Sequence, residues 1–183
     1  MKFCSNCSAT VELRIPEGDS LPRYVCTVCH IIHYQNPKVV VGCIPEWEDK
    51  VLLCRRAIEP RLGWWTLPAG FMENNETMVE AAMRETREEA CLEVRITSLL
   101  NVYSYPGRPV VVVVYTAEVT GGEFAAADEV LECATFAPAE VPWNELAFPS
   151  TWDALREYVR SRHGLEPPPG AQPPQPAPLH FSP

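Results

Sequence analysis

Apolar residues recur along this chain in two rhythms. Between Lys38 and Ile44, and again between Lys50 and Arg55, β-branched and aliphatic residues run together. Glu48-Asp49 separates the two runs, which predicts a hairpin. Ala57 to Trp64, rich in Pro, Gly and charge, reads as a loop. From Met78 to Ala90 the period becomes helical: Val79, Ala82, Met83, Thr86 and Ala90 share a stripe that can pack inward. Thr77 with Glu80 three residues on is a capping box that starts this helix. Glu93 to Tyr105 reads as a long strand, Pro106 to Pro109 as a turn, and Val110 to Val119 as a buried return strand. Thr120 to Asp128 reads as a loop and Glu129 to Phe136 as a further strand. Ser150 and Asp153 predict the cap of a second helix, with Trp152, Leu155, Tyr158 and Val159 inside and Gly164 at its end. Strands on both sides of a helix, closed by another helix, predict an α/β chain with a mixed sheet between helices.

Proline crowds the residues from Glu166 onward, so 166–183 is expected to be a disordered or polyproline-like tail. The rest of the 183 residues suits one domain with a real core and a small appendage. A formal charge of −9, from 24 acidic against 15 basic residues, argues against general nucleic-acid binding. A phosphate-bearing substrate would have to be received locally, by metal ions and a few arginines. No apolar run approaches a membrane span, and Met1 to Cys4 opens without a signal-peptide core.

Cysteine usage divides in two. Cys4, Cys7, Cys26 and Cys29 form two C-x-x-C pairs with the spacing of a four-cysteine zinc ribbon, in which Zn²⁺ supplies the folding energy a segment this short lacks. Four thiolates close such a site, so its role is structural, and the nearby His30 and His33 read as bystanders. Cys43, Cys54, Cys91 and Cys133 are scattered singly, which is no disulfide framework and points to a reducing, cytoplasmic setting. The expected organisation is a ribbon over 1–35, a main domain over 36–165 and the tail.

The chemistry concentrates in Arg84-Glu85-Thr86-Arg87-Glu88-Glu89. Glu85, Glu88 and Glu89 sit at i, i+3 and i+4, so three carboxylates share one helix face. Alone, that face is an ordinary solvated one, with Glu80–Arg84 and Arg84–Glu88 as i,i+4 pairs. With a hard divalent cation, the same oxygens become ligands.

Gly70, five residues, Glu76, seven residues, then Arg-Glu-x-x-Glu-Glu resembles the Nudix hydrolase box at every charged position. The resemblance runs from about Lys38 to Arg162 and implies an α/β/α sandwich. It also implies Mg²⁺ (or Mn²⁺) held by Glu85, Glu88, Glu89 and the Gly70 carbonyl, with Arg84 orienting the carboxylates and Glu76 holding Arg84. The general base would be a box glutamate or a later acid, Glu132, Asp128 or Glu129. Two departures stand out. Cys91 replaces a glycine that would end the helix left-handed, which costs on the order of 1 kcal/mol or forces another cap. Thr86 occupies a position that is usually apolar.

Zinc ribbons precede the Nudix domain in two groups, NADH pyrophosphatases and a set resembling plant ADP-ribose/FAD pyrophosphatases. Trp65-Thr66-Leu67-Pro68-Ala69-Gly70 looks most like the second, and the NADH signature is missing. The implied activity is hydrolysis of a nucleoside diphosphate derivative, FAD or ADP-ribose, with NADH as a further substrate. Tyr103, Tyr105, Phe71, Trp143 and Phe148 are candidate ring partners, and Arg55, Arg56 and Arg108 candidate phosphate partners. The alternative is a non-catalytic nucleotide sensor, or an RNA-binding or decapping protein that uses its ribbon. Homodimers are frequent in the family.

Overall fold

The first 37 positions hold too few apolar residues to build a core, and the chain there folds around its sulfur atoms. In the computed structural model, which describes residues 1–127 and 129–175, they form a compact unit of their own. Strands β1 (Val11–Arg14), β2 (Arg23–Cys26) and β3 (Ile32–His33) make an antiparallel sheet in that order. The buried apolar side chains of this unit are Cys4, Pro16, Val25 and Cys26. Ser8 and His30, each directly after the second cysteine of a pair, are left-handed (φ 61° and 60°), so the two knuckles turn alike.

From Lys38 onward a second unit is built on a seven-stranded mixed sheet. Strands β4 (Lys38–Trp47) and β5 (Lys50–Arg56) form the expected hairpin, which extends three residues past Ile44. Glu48 and Asp49 both have positive φ (48° and 61°), as a two-residue type I′ turn requires. Short strands β6 (Trp65–Thr66) and β7 (Ala69–Phe71) pair with β5 and β4, and helix α1 (Met78–Ala90) follows. Then come β8 (Leu92–Ser104), β9 (Val110–Gly122), β10 (Val130–Phe136) and helix α2 (Pro149–His163). The order is β10-β5-β4-β9-β8, with β4 and β9 parallel and the other pairs antiparallel. The β8–β9 register slips at three places, Glu93/Val94, Ile96/Ser98 and Leu99/Asn101.

Alternation along the strands sorts the core into two layers. Val41, Cys43, Leu52, Cys54 and Val113 pack with Ala81, Ala82 and Ala90 of α1. Ile44, Val51, Leu53 and Val114 pack with Trp152, Leu155, Tyr158 and Val159 of α2. The architecture is the α/β/α sandwich with a mixed sheet.

Three expectations are corrected. Helix α2 starts at Pro149, not behind a Ser150 cap: Phe148 is the N-cap, no side chain caps the end, and proline's fixed φ suits the first helical position. Thr120 to Gly122 extend β9, because Gly122 (φ 93°) carries the strand through a bend that a side chain would resist. On α1, Val79 is exposed, while Ala81 and Glu85 turn inward beside Ala82, Thr86 and Ala90. The expected tail lies outside the described residues from position 176. Its part over 166–175 has no helix or strand, yet Ala171 packs on the α2-side core and Arg61 donates to the Gln175 carbonyl (2.7 Å).

Candidate metal and active site

Helix α1 is capped as its sequence requires. The Glu80 N–H donates to Thr77 Oγ1 (3.2 Å) and the Thr77 N–H to Glu80 Oε2 (2.8 Å). Its far end is Cys91, left-handed at φ 57° with its N–H on the Arg87 carbonyl (3.0 Å), so the helix takes the strained cap. Thr86, wholly buried, satisfies its hydroxyl by donating to the Ala82 carbonyl (2.8 Å), with Cys43 Sγ at 3.1 Å.

The carboxylates lie on the rim of the buried face, directly under β7. A Cβ at Gly70 would collide with the Glu85 carboxylate, so any larger residue there must push that side chain aside. One residue earlier, the Ala69 N–H donates to Glu89 Oε2 (3.0 Å). Glu85 is 8 % exposed, whereas the Glu88 side chain is 58 % exposed. These placements depend on tertiary packing, and the spacing of glutamates did not foretell them.

Arg84 ties three acids together. Its Nε and Nη2 fork onto Glu76 (3.0 and 2.8 Å), and its Nη1 reaches Glu85 Oε1 (2.7 Å) and Glu88 Oε2 (2.9 Å). Nη2 also donates to the Phe71 carbonyl (3.1 Å), and the Glu73 N–H donates to Glu76 (2.6 Å). Neither of these backbone partners was singled out from the sequence. The Arg84 guanidinium, helped by the Glu73 N–H, holds the Glu76 carboxyl down to about 2. Burial pushes Glu85 upward against the pull of Arg84. Burial also pushes Glu89 up to about 7: the Ala69 N–H and Arg56 oppose the rise, while the charges of Glu85 and Glu129 add to it. Such a cluster wants positive charge and can hold a hard cation. Among the described residues the three glutamates do not yet converge, and Arg84 stands between Glu85 and Glu88.

Other candidates separate around this centre. Arg56 is half-buried, donates to the Pro60 carbonyl (2.9 Å), lies over the Phe148 ring (4.9 Å) and feels the charge of Glu89. Arg55 bonds the Gly63 carbonyl (2.9 Å) and pairs with Glu132 at 3.5 Å. Of the late acids, Glu129 is near enough to act on Glu89, and Asp128 lies outside the described residues. Tyr103 and Tyr105 donate to Glu157 (2.9 Å) and Asp153 (2.7 Å) of α2, and Trp143 is buried against Trp152, so these rings are engaged in the fold. Phe71 stays exposed beneath the Lys38 ammonium (4.9 Å).

In the first unit, the sulfurs of Cys4, Cys7, Cys26 and Cys29 all lie within 4.8 Å of one another, the only such cluster among the described residues. The N–H groups of Val28 and Cys29 point at Cys26 Sγ (both 3.4 Å), and that of Asn6 at Cys4 Sγ (3.4 Å). Burial opposes ionisation of Cys26, but those donors and the neighbouring thiols hold its pKa below the usual thiol value. His33, read as a bystander, stands with Nε2 3.3 Å from Cys4 Sγ, because β3 returns it over the knuckle. All-sulfur donors at this separation suit Zn²⁺.

Comparison with known proteins covers both units of the chain. The NUDIX domain model matches residues 36–158, and the Nudix N-terminal model matches 2–35. A Nudix hydrolase structure from Nitrosomonas europaea is 56 % identical, covering 91 % of this chain and 95 % of that one with a TM-score of 0.86. The ADP-ribose pyrophosphatase of Methanocaldococcus jannaschii is 38 % identical over 72 % of this chain and 78 % of its own. The NAD-capped RNA hydrolase NudC of Stutzerimonas stutzeri is 26 % identical, and this chain matches 46 % of its length. With the domain model spanning the whole main sheet, helix α1 and most of α2, the chain belongs to the Nudix hydrolase family.

Proposed function

We propose that this chain is a Mg²⁺- or Mn²⁺-dependent pyrophosphatase that cleaves the diphosphate link of a nucleoside diphosphate derivative, ADP-ribose or FAD. One observation carries the reading: Gly70 lies so close to Glu85 that a Cβ would occupy the carboxylate's place, beside the other acids of the same helix turn. That cradle and its all-oxygen donors fit a hard divalent cation. Glu85, Glu88, Glu89 and the Gly70 carbonyl would hold it. Bound there, the ion neutralises phosphate oxygens and lowers the pKa of a coordinated water.

Arg84 keeps Glu85 and Glu88 side by side, and Glu76 anchors Arg84 from behind. The Glu88 side chain is mostly exposed, so exchanging Arg84 for a ligand would leave the core undisturbed. Ala69 fixes Glu89 from the strand above. ADP-ribose is supported by the name and coverage of the Methanocaldococcus relative. The ribbon, over 1–35, takes one Zn²⁺ as a structural staple for a reducing cytoplasmic compartment, and 36–165 forms the catalytic domain.

The test is a panel of ADP-ribose, FAD, NADH, NAD-capped RNA and nucleoside triphosphates with Mg²⁺, products resolved by chromatography. AMP with ribose 5-phosphate, or AMP with FMN, is expected. Pyrophosphate from triphosphates, or RNA retention with every dinucleotide left intact, overturns the reading.

A further inference from the structure

Outside the ribbon, two cysteines face each other. Cys54 in β5 and Cys133 in β10 are direct partners in an antiparallel register, and their sulfurs lie 3.7 Å apart. Opposed residues in such a ladder have Cα atoms roughly 4.5–5.5 Å apart, inside the roughly 4.4–6.8 Å that a disulfide spans. Bond formation therefore needs rotation of side chains and no movement of strands.

The two thiols differ in access. Cys54 is wholly buried, whereas Cys133 is half-buried on β10, which ends its side of the sheet. An outer sulfur meets the oxidant and an inner one stands behind it. The remaining pair lacks this arrangement: Cys43 is buried against Thr86, and Cys91 is exposed, neither with a cysteine sulfur in contact among the described residues. The proposed hydrolysis makes no use of Cys54 or Cys133. Besides Cys54, the Cys133 sulfur has only the carbonyls of Glu89 (3.6 Å) and Ala125 (3.5 Å) within hydrogen-bond reach among the described residues, and its single proton is shared among them.

We propose that Cys54 and Cys133 form a dithiol modification site that a peroxide closes to a disulfide. Cys133 Sγ attacks one peroxide oxygen, the O–O bond breaks, and a sulfenic acid and one water result. Cys54 Sγ then displaces the sulfenic oxygen, the S–S bond forms, and a second water leaves with the remaining thiol proton. The two sulfurs together lose two electrons to the peroxide. Closure draws Cys133 away from the Glu89 and Ala125 carbonyls, because a disulfide has no proton to donate. It also ties the outermost strand covalently to its neighbour.

The full chain, loaded with zinc, is treated with hydrogen peroxide, denatured, alkylated without reduction and mapped by mass spectrometry. A cross-linked peptide joining Cys54 to Cys133 is expected, with two of the eight thiols lost and Cys91 still alkylated. The variant C133S should give no cross-link and leave Cys54 reduced, and C91S should cross-link as the parent does. Because Cys54 is buried, C133S is the decisive variant, and its melting temperature shows that it has folded. Full alkylation of both cysteines after peroxide overturns the proposal, as does Cys133 advancing to sulfinic acid beside a reduced Cys54.

Discussion

The two helices of the main unit do opposite work. Helix α2 buries Trp152, Leu155, Tyr158 and Val159, ends in Arg160, Arg162 and His163 where the dipole favours cations, and closes on left-handed Gly164. At that end every local preference agrees with the fold. Helix α1 buries small residues, Ala81, Ala82, Thr86 and Ala90, so its backbone comes near the sheet. It crowds carboxylates under a glycine and ends on a left-handed cysteine. Proteins break local rules where they work and follow them where they hold together.

The sharpest way to break this contrast is to remove a ligand charge. Glu88→Gln should lower turnover at saturating Mg²⁺ on the order of a thousandfold, the scale for losing one charge-stabilising group. Its melting temperature should stay within a degree or two, because the side chain is mostly in water. Full activity in this variant would sink the proposed ligand set. Leu155→Ala should do the reverse, costing about 3 kcal/mol of stability by urea unfolding while the folded fraction keeps its kcat.

Gly70→Ala tests the cradle itself. The new methyl must displace the Glu85 carboxylate, the far end of a side chain, so turnover should fall about tenfold or more while stability changes by less than about 1 kcal/mol. Cys91→Gly should raise stability by about 1 kcal/mol, since glycine takes the left-handed cap without strain. The smallest effect concerns Glu76. Its folded pKa is depressed to about 2 from 4.5, so its stabilising contribution is present above pH 4.5 and lost as pH falls toward 2. The melting-temperature gap between the parent and Glu76→Gln should therefore close over that window.

What could be read without coordinates was whatever depends on short spacing. The Thr77–Glu80 box marked the start of α1, because a cap is a contact between residues three apart. Arg84 with Glu76 was legible only through the family resemblance, since spacing alone offered Glu80 and Glu88, and the four ribbon cysteines were legible because two C-x-x-C pairs leave few other readings. The inward turn of Glu85 was not legible: β7 directly precedes α1, yet which helix face it covers is decided by how the chain folds back and not by the spacing of the glutamates. The hold of Ala69 on Glu89 and the facing of Cys54 by Cys133 were hidden for the same reason. Ser150 misled because Pro149 competes for the same helix start and its ring needs no cap.

The slipped pairing of β8 has its own consequence. This long outer strand exposes Leu99 and Val102, and a straight ribbon of that kind would recruit like ribbons from other molecules. Extra residues at three places, Thr97 and Leu100 in β8 itself and Thr120 in β9, bend and twist it out of true, so no long run of backbone amides is left in line for a stranger to zip onto.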